Sequence, residues 1–288
     1  MNVAVSAGAP TGTFLSRDGT RIGYRQMGKG PGLVLLHGGL QSSRNFTDLG
    51  AALCDAFTVT IPDRRGRGRS GPFGNNHGIR TEVEDLVGLL EHTGSHNVFG
   101  LSSGALVALE AALTSPDIHR LALYEPPLEI GFRPSPLDWV PPYEKALAAG
   151  NLAAAMLAVI KGTRDRRDLF AHLPSFILVS MFKFAMRHER RSNEDDEPSL
   201  QTLIPTMHFD GQLVAEMAGR LEQFKAVRTE TLLLGGSRSA VYLGAALEAL
   251  STVLPNCTRV EFAGAGHIAA DNSGQPWRVA EALRRHFS

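Results

Sequence analysis

Four short runs of this chain, GLVLLH (32–37), FTVTIP (57–62), NVFGL (97–101) and RLALYE (120–125), are apolar over nearly their whole length. Apart from FTVTIP, whose alternate residues are threonines, they lack the strict alternation of a strand with one wet face, and each reads as a strand covered on both sides. The segments between them can supply that cover. In TEVEDLVGLLEHTG (81–94), Val83, Leu86, Val87, Leu89 and Leu90 crowd one side of a helix. Strand and helix in alternation predict an α/β fold, a mostly parallel sheet sandwiched by helices. Upstream, TGTFLS and TRIGYRQM flank Arg17-Asp18-Gly19, a hairpin signal. Downstream, TLLLGG (231–236) and TRVEFAG (258–264) add two more strands before a last helix from Pro276.

The rhythm breaks after Pro127. From 128 to 225 the pattern is helical, with no convincing strand, and it includes KALAAGNLAAAMLAVIKG and the charged loop RHERRSNEDDEP. We therefore expect a core made of residues 1–127 and 226–288, with 128–225 inserted as a helical cap over one sheet edge. A chain of 288 residues accommodates one large domain with such an insertion. The most apolar stretch of the insertion, FILVSMFKFAM (176–186), contains Lys183 and falls short of the ~20 apolar residues that span a bilayer.

Charge narrows the partners. Lys plus Arg equals Asp plus Glu at 29 each, so no overall field favours nucleic acid or an anionic membrane. The run RRGRGR (64–69) sits between an apolar strand and a helix, as a turn would. Cys54 and Cys257 lack metal-ligand spacing and fit a reducing compartment with both thiols free. The start, MNVAVSAGAPTGTF, lacks a basic segment followed by a long apolar one. A cytoplasmic protein with no membrane span and no nucleic-acid partner is the expectation.

Three segments carry chemistry. In VFGLSSGALVALEAAL (98–113) a strand enters Gly100-Leu101-Ser102-Ser103-Gly104 and an alanine-rich helix leaves it. A serine at such a turn is held in a strained conformation with its hydroxyl exposed, above a helix start that favours negative charge. In LVLLHGGLQSS (33–43) a buried strand ends in His37-Gly38-Gly39. The amide of Gly39 or Leu40, together with that of Ser103, is placed to hold an oxyanion, while His37 reads as structural. In VEFAGAGHIAADN (260–272) a strand runs into a loop of small residues carrying His267, which leaves its imidazole free to reach another strand end.

With these motifs in this order, the chain resembles the α/β-hydrolase family over essentially its whole length. The supporting residues are His37-Gly38-Gly39, the loop Asp63-Arg64-Arg65-Gly66-Arg67-Gly68-Arg69-Ser70, the elbow around Ser102, and Gly266-His267. The resemblance implies a doubly wound eight-stranded sheet with a helical lid after the sixth strand. It makes Ser102 the nucleophile, His267 the general base, and Gly39, Leu40 and Ser103 the source of oxyanion amides. One feature departs from the family. Many members place the triad acid after the strand corresponding to TLLLGG, yet that turn holds Ser237, Arg238 and Ser239. Glu125, at the end of the preceding core strand, is the best substitute, stiffened by Pro126 and Pro127. Haloalkane dehalogenase-like and zearalenone lactonase-like relatives use an acid from that strand end. Asp210 in MHFDGQ and Asp271, four residues beyond His267 and expected to point towards the surface, are the competing acids, and the absence of any triad acid is the remaining alternative. Asp63 reads as a brace for its own turn.

A serine at the elbow implies acyl transfer without metal or organic cofactor. Bulky apolar residues in the cap, Phe176, Met181, Phe182, Phe184, Met186 and Met207 among them, suit a hydrophobic ester or lactone, with Phe182 and Met207 as substrate contacts. Packing of the cap helices onto the core is an equal explanation for most of them. Amide, thioester and carbon–carbon bond hydrolysis remain open, as does a non-catalytic ligand receptor on the same scaffold.

Overall fold

A computed structural model describes residues 11–163, 174–189 and 198–288. Most of the N-terminal segment considered for a leader, and most of the charged loop RHERRSNEDDEP, lie outside the described residues. Eight strands form one sheet: β1 (Thr11–Leu15), β2 (Arg21–Met27), β3 (Gly32–Leu36), β4 (Thr58–Pro62), β5 (Asn97–Leu101), β6 (Arg120–Tyr124), β7 (Glu230–Gly236) and β8 (Cys257–Phe262). Their order is β1-β2-β4-β3-β5-β6-β7-β8. The β1–β2 hairpin and the β2–β4 pair are antiparallel, and every later pair is parallel. The expected fold class therefore stands. Its central runs are buried beyond their first residues; Leu33, Val34, Leu35, Val98, Phe99, Leu121 and Leu233 are all wholly inaccessible.

The helices divide between the two faces as the apolar pattern requires. One face is covered by α2 (Ile79–Thr93), α3 (Ser103–Thr114) and α9 (Val241–Val253), which bury Leu86, Leu106 and Leu247 against Val34, Leu123 and Leu233. The other is covered by α1 (Thr47–Leu53) and α10 (Pro276–Phe287), through Leu49 and Leu283 against Leu35, Phe99 and Leu234. After β3 the chain crosses to β4 on one side and then returns to β5 on the other. The carboxyl ends of β3 and β5 thus flank the switch point at which open parallel sheets place their sites.

Between β6 and β7 come α4 (Val140–Ala148), α5 (Leu152–Thr163), α6 (Ser175–Glu189), α7 (Leu200–Leu203) and α8 (Met207–Glu216), with no strand among the described residues. Helix begins only at Val140, not at 128. Pro126, Pro127, Pro134 and Pro136 lack the amide a helix needs, so this stretch runs as an irregular connection. Trp139, Tyr143, Val159, Ile204 and Met207 form a small core among these helices. Leu213, Val214 and Met217 join the main core instead, so α8 bridges the two. No helix among the described residues is long and apolar enough to cross a membrane.

Candidate active site

Ser102 joins β5 to α3 with φ 56° and ψ −125°, a left-handed region that non-glycine residues avoid at a cost of about 1–3 kcal/mol. Close packing sustains the strain. A Cβ on Gly100 would lie 2.6 Å from the Gly104 carbonyl oxygen, and one on Gly104 would lie 2.4 Å from that of His37. Both flanking glycines are thus required by approach rather than by flexibility. The Ser102 amide donates to the Tyr124 carbonyl at 2.9 Å, so the β5–β6 ladder continues into the elbow. Ser103 opens α3, and its amide, one of the first four, has no acceptor within the helix.

The His37-Gly38-Gly39 segment faces this elbow across the switch point. A Cβ on Gly38 would come within 2.9 Å of the Ser102 Cβ. The Gly38 amide donates to Gln41 Oε1 at 2.9 Å, which curls the loop, and Leu40 sits at φ 57°. His37 is fully buried. Its Nδ1 meets the Gly38 carbonyl at 2.8 Å, and its Nε2 accepts the Arg64 amide at 3.2 Å. Burial, with Arg67 and Arg64 nearby, holds this imidazole well below its usual pKa and so neutral. It braces two loops.

His267 and Glu125 meet. Glu125 Oε2 lies 2.7 Å from His267 Nδ1, while Oε1 accepts the Gly236 amide at 2.6 Å. The carboxylate is buried, whereas the imidazole is 20% exposed towards the cavity. Glu125 has φ 47°, and its amide donates to the Leu234 carbonyl at 3.0 Å, so strand pairing and a tight turn fix its direction. The Tyr124 hydroxyl donates to the Gly266 carbonyl at 2.9 Å and steadies the histidine loop from below, a role no sequence signal announces.

The competing acids line the same cavity as Ser102 and His267 but are held by other partners. Asp271 is buried, not turned to the surface; its Oδ2 accepts Gln41 Nε2 at 2.7 Å and Asn45 Nδ2 at 2.9 Å. The polar loop after β3 needs that acceptor, which is why the side chain turns inward. Asp210 accepts from Ser103 Oγ at 2.7 Å, Arg64 Nη1 at 3.0 Å and Arg67 Nη2 at 2.6 Å. Asp63 braces its turn as expected, accepting the Arg69 amide at 3.0 Å, and also holds the Ser43 amide at 2.7 Å. Arg64, Arg65 and Arg67 of the basic run are buried and paired with Glu82, Asp85 and Asp210.

Gly39, Leu40, Ser102, Ser103 and His267 line one cavity of about 280 Å³, near the low end of the ~300–1,000 Å³ usual for small-molecule sites. Met207 lines it too. Phe182 does not appear on its wall among the described residues; it packs into the small core of the insertion instead. Phe176, Met181 and Phe184 face outward from α6 at 72%, 47% and 65% exposure. Helical periodicity does not say which apolar residues of a cap face the site. Among the wall residues that sequence reading missed are Trp139, Val159, Val214 and Tyr242. Tyr242 lies near the acid: burial, then the Glu125 charge, pushes its phenol pKa up. The arrangement sets a hydroxyl, an imidazole backed by a carboxylate, and helix-start amides around one small, largely apolar space. Those are the parts that acyl transfer needs.

Comparison with known proteins identifies the family. Residues 33–281 match the alpha/beta hydrolase family. A pimeloyl-[acyl-carrier protein] methyl ester esterase of Xanthomonas oryzae pv. oryzae is 26% identical over 260 residues, 90% of this chain and 96% of that protein. The uncharacterised hydrolase YraK of Bacillus subtilis is 32% identical over 118 residues, 39% of this chain and 43% of that protein, so the alignment spans less than half of either. Among solved structures, an α/β hydrolase from Sphaerobacter thermophilus superposes with a TM-score of 0.74 at 26% identity, covering 96% of this chain and 100% of that one.

Proposed function

The chain belongs to the α/β hydrolase family, and on that premise we propose that it cleaves a small carboxylic ester or lactone with an apolar acyl part, through an acyl-enzyme on Ser102. The observation that carries this reading is the 2.7 Å contact between His267 and a buried Glu125 whose other oxygen is taken by the Gly236 amide. With Nδ1–H donated to Glu125, the neutral imidazole keeps Nε2 free to take the Ser102 proton. Ser102 Oγ then attacks the carbonyl. The negative charge that develops on oxygen is received by the Ser103 amide and by that of Gly39 or Leu40, with the α3 dipole behind it. His267 returns the proton to the leaving alcohol, and water follows the same path to release the acid.

Residues 128–225 act in this scheme as a lid. The lining divides by residue type: Trp139, Val159, Met207 and Val214 offer the acyl group apolar surface, and Gln41, Asn45, Asp210, Asp271 and Ser273 supply polar groups. That split suits an ester whose acyl end is apolar and whose alcohol end is hydrated. The ester-cleaving relative from Xanthomonas supports the bond type, since it aligns over nearly the full length of both chains. No step in this scheme calls on a metal or an organic cofactor.

A fluorophosphonate probe tests the assignment, since only an activated serine reacts with it. The wild-type protein should be labelled at Ser102 and release p-nitrophenol from a short acyl ester. Ser102→Ala should lose labelling and about 10⁶-fold in kcat. Absence of both labelling and turnover in the folded wild-type protein would leave it a ligand-binding member of the family.

A further inference from the structure

Asp210 leaves α8 towards the two loops that carry the proposed oxyanion amides. Its Oδ1 accepts from Ser103 Oγ at 2.7 Å, and that same hydroxyl receives Arg64 Nη1 at 2.9 Å. On the other side, a Cβ on Gly39 would meet Met207 Sδ at 2.6 Å and Asp210 Oδ2 at 3.1 Å. The carboxylate is therefore wedged between the Ser103 and Gly39 segments. Arg64 is gripped from behind by Glu82, with both nitrogen–oxygen distances at 2.9 Å, and Arg67 Nη2 reaches Asp210 Oδ2 at 2.6 Å. None of these four charged side chains is more than 4% exposed.

Two properties distinguish this cluster from an ordinary ion pair. The first is its balance. Arg64 and Arg67 offset Glu82 and Asp210, and although burial alone would raise the Asp210 carboxyl, Arg67 and Arg64 hold it below its usual range. A lone carboxylate beside a developing oxyanion would oppose it; one held by two guanidinium groups in a cluster of zero net charge does so far less. The second is its placement. It ties together the turn after β4, the start of α3 and the insertion helix α8, three segments distant in sequence. Buried ion pairs are weak stabilisers compared with apolar packing, so stability alone gives little reason for one here.

We propose that Asp210, clamped by Arg64 and Arg67, is a positioning residue for the oxyanion hole. It fixes the Ser103 and Gly39 amides in relation to one another and makes them competent only while α8 is docked on the elbow. This inference rests on the ester-cleaving reading above.

The test is steady-state hydrolysis of p-nitrophenyl butyrate by the full chain, by Ser103→Ala and by Asp210→Asn. Ser103→Ala removes one hydroxyl but leaves the Ser103 amide and both arginine contacts to Asp210. Its kcat should fall by roughly tenfold or more with KM within about twofold, since a small misplacement of oxyanion donors acts on the transition state. The pH at half-maximal rate should match wild type, because His267 and Glu125 are untouched. Affinity for a trifluoromethyl ketone analogue, which forms an oxyanion on Ser102, should fall in proportion to kcat/KM. Asp210→Asn should lose more than Ser103→Ala even though it adds net positive charge near the oxyanion. A gain of kcat in Asp210→Asn, or unchanged kcat in folded Ser103→Ala, overturns the proposal and leaves the Ser102 assignment intact. Where Asp210→Asn does not fold, Ser103→Ala decides alone. A wild-type protein that is neither labelled at Ser102 nor active defeats the ester-cleaving reading itself, and this inference with it.

Discussion

The ends of β6 and β7 lie side by side in parallel register, Tyr124 opposite Leu234, yet they carry opposite chemistry. One strand ends in a buried carboxylate held in a left-handed turn; the other ends in Gly235-Gly236 and a turn whose Ser237 and Arg238 face solvent. The glycines explain the contrast. A Cβ on Gly235 would stand 3.2 Å from Glu125 Oε1, and one on Gly236 would stand 2.3 Å from the Ala265 carbonyl oxygen. β7 has given up side chains where β6 has placed an acid. Neighbouring strand ends in a parallel sheet are thus near-equivalent platforms beside the histidine loop, and occupying one constrains the other.

The sharpest way to break that comparison is Glu125→Gln. The amide nitrogen facing Nδ1 would favour the wrong imidazole tautomer and withdraw the charge that steadies the imidazolium. We expect kcat to fall about 10⁴-fold while the far-ultraviolet circular dichroism stays unchanged. A loss below tenfold would mean that Glu125 braces His267 without acting in turnover. Gly236→Ala should follow at roughly 10²-fold, because the added methyl meets backbone and must displace the loop carrying His267. The loss should appear in kcat more than in KM. An active Gly236→Ala protein would show that the loop has slack that the close packing at β7 does not suggest.

Much of this was legible in the sequence. The strands β3 to β7 lie within one residue of their runs, because a strand buried on both faces leaves a strong apolar signal, whereas β8, largely exposed, stops two residues short at Phe262. The elbow and its glycines were equally clear, since Gly-x-Ser-x-Gly between a strand and a helix is a strong signal for that turn. Glu125 could be named because the absence of an acid at 237–239 left few candidates at strand ends. What stayed hidden was set by long-range partners. Glu82 and Asp85 lie on the buried side of α2 because Arg64 and Arg65 meet them there, and no local pattern marks an acid as internal. Asp271 turned inward for the same reason. In the insertion, Phe182 and Met207 look alike in sequence, yet only Met207 is found on the cavity wall, because which face a cap helix turns to the site depends on how it docks.

The smallest expected effect tests the comparison most directly. If the two strand ends are near-equivalent, an acid at Ser239 should partly replace one lost from position 125. The turn is suitably placed: the Arg238 amide donates to the Ala265 carbonyl at 2.9 Å, and the Ser237 amide to that of Phe262 at 3.1 Å, so it packs on the histidine loop. Among the described residues Ser239 Oγ is buried without a hydrogen-bond partner, so a polar replacement there breaks no existing bond. A carboxylate there would be nearer the surface than Glu125 and more screened by water, and it would lack the Gly236 amide that aims the native acid. Both differences weaken its hold on the imidazolium. We therefore expect Ser239→Asp in the Glu125→Gln background to recover about tenfold in kcat, ~1.4 kcal/mol of the barrier. Equal rates in the single and double variants would show that only β6 can hold the acid, and that the glycines of β7 serve packing rather than a choice between two platforms.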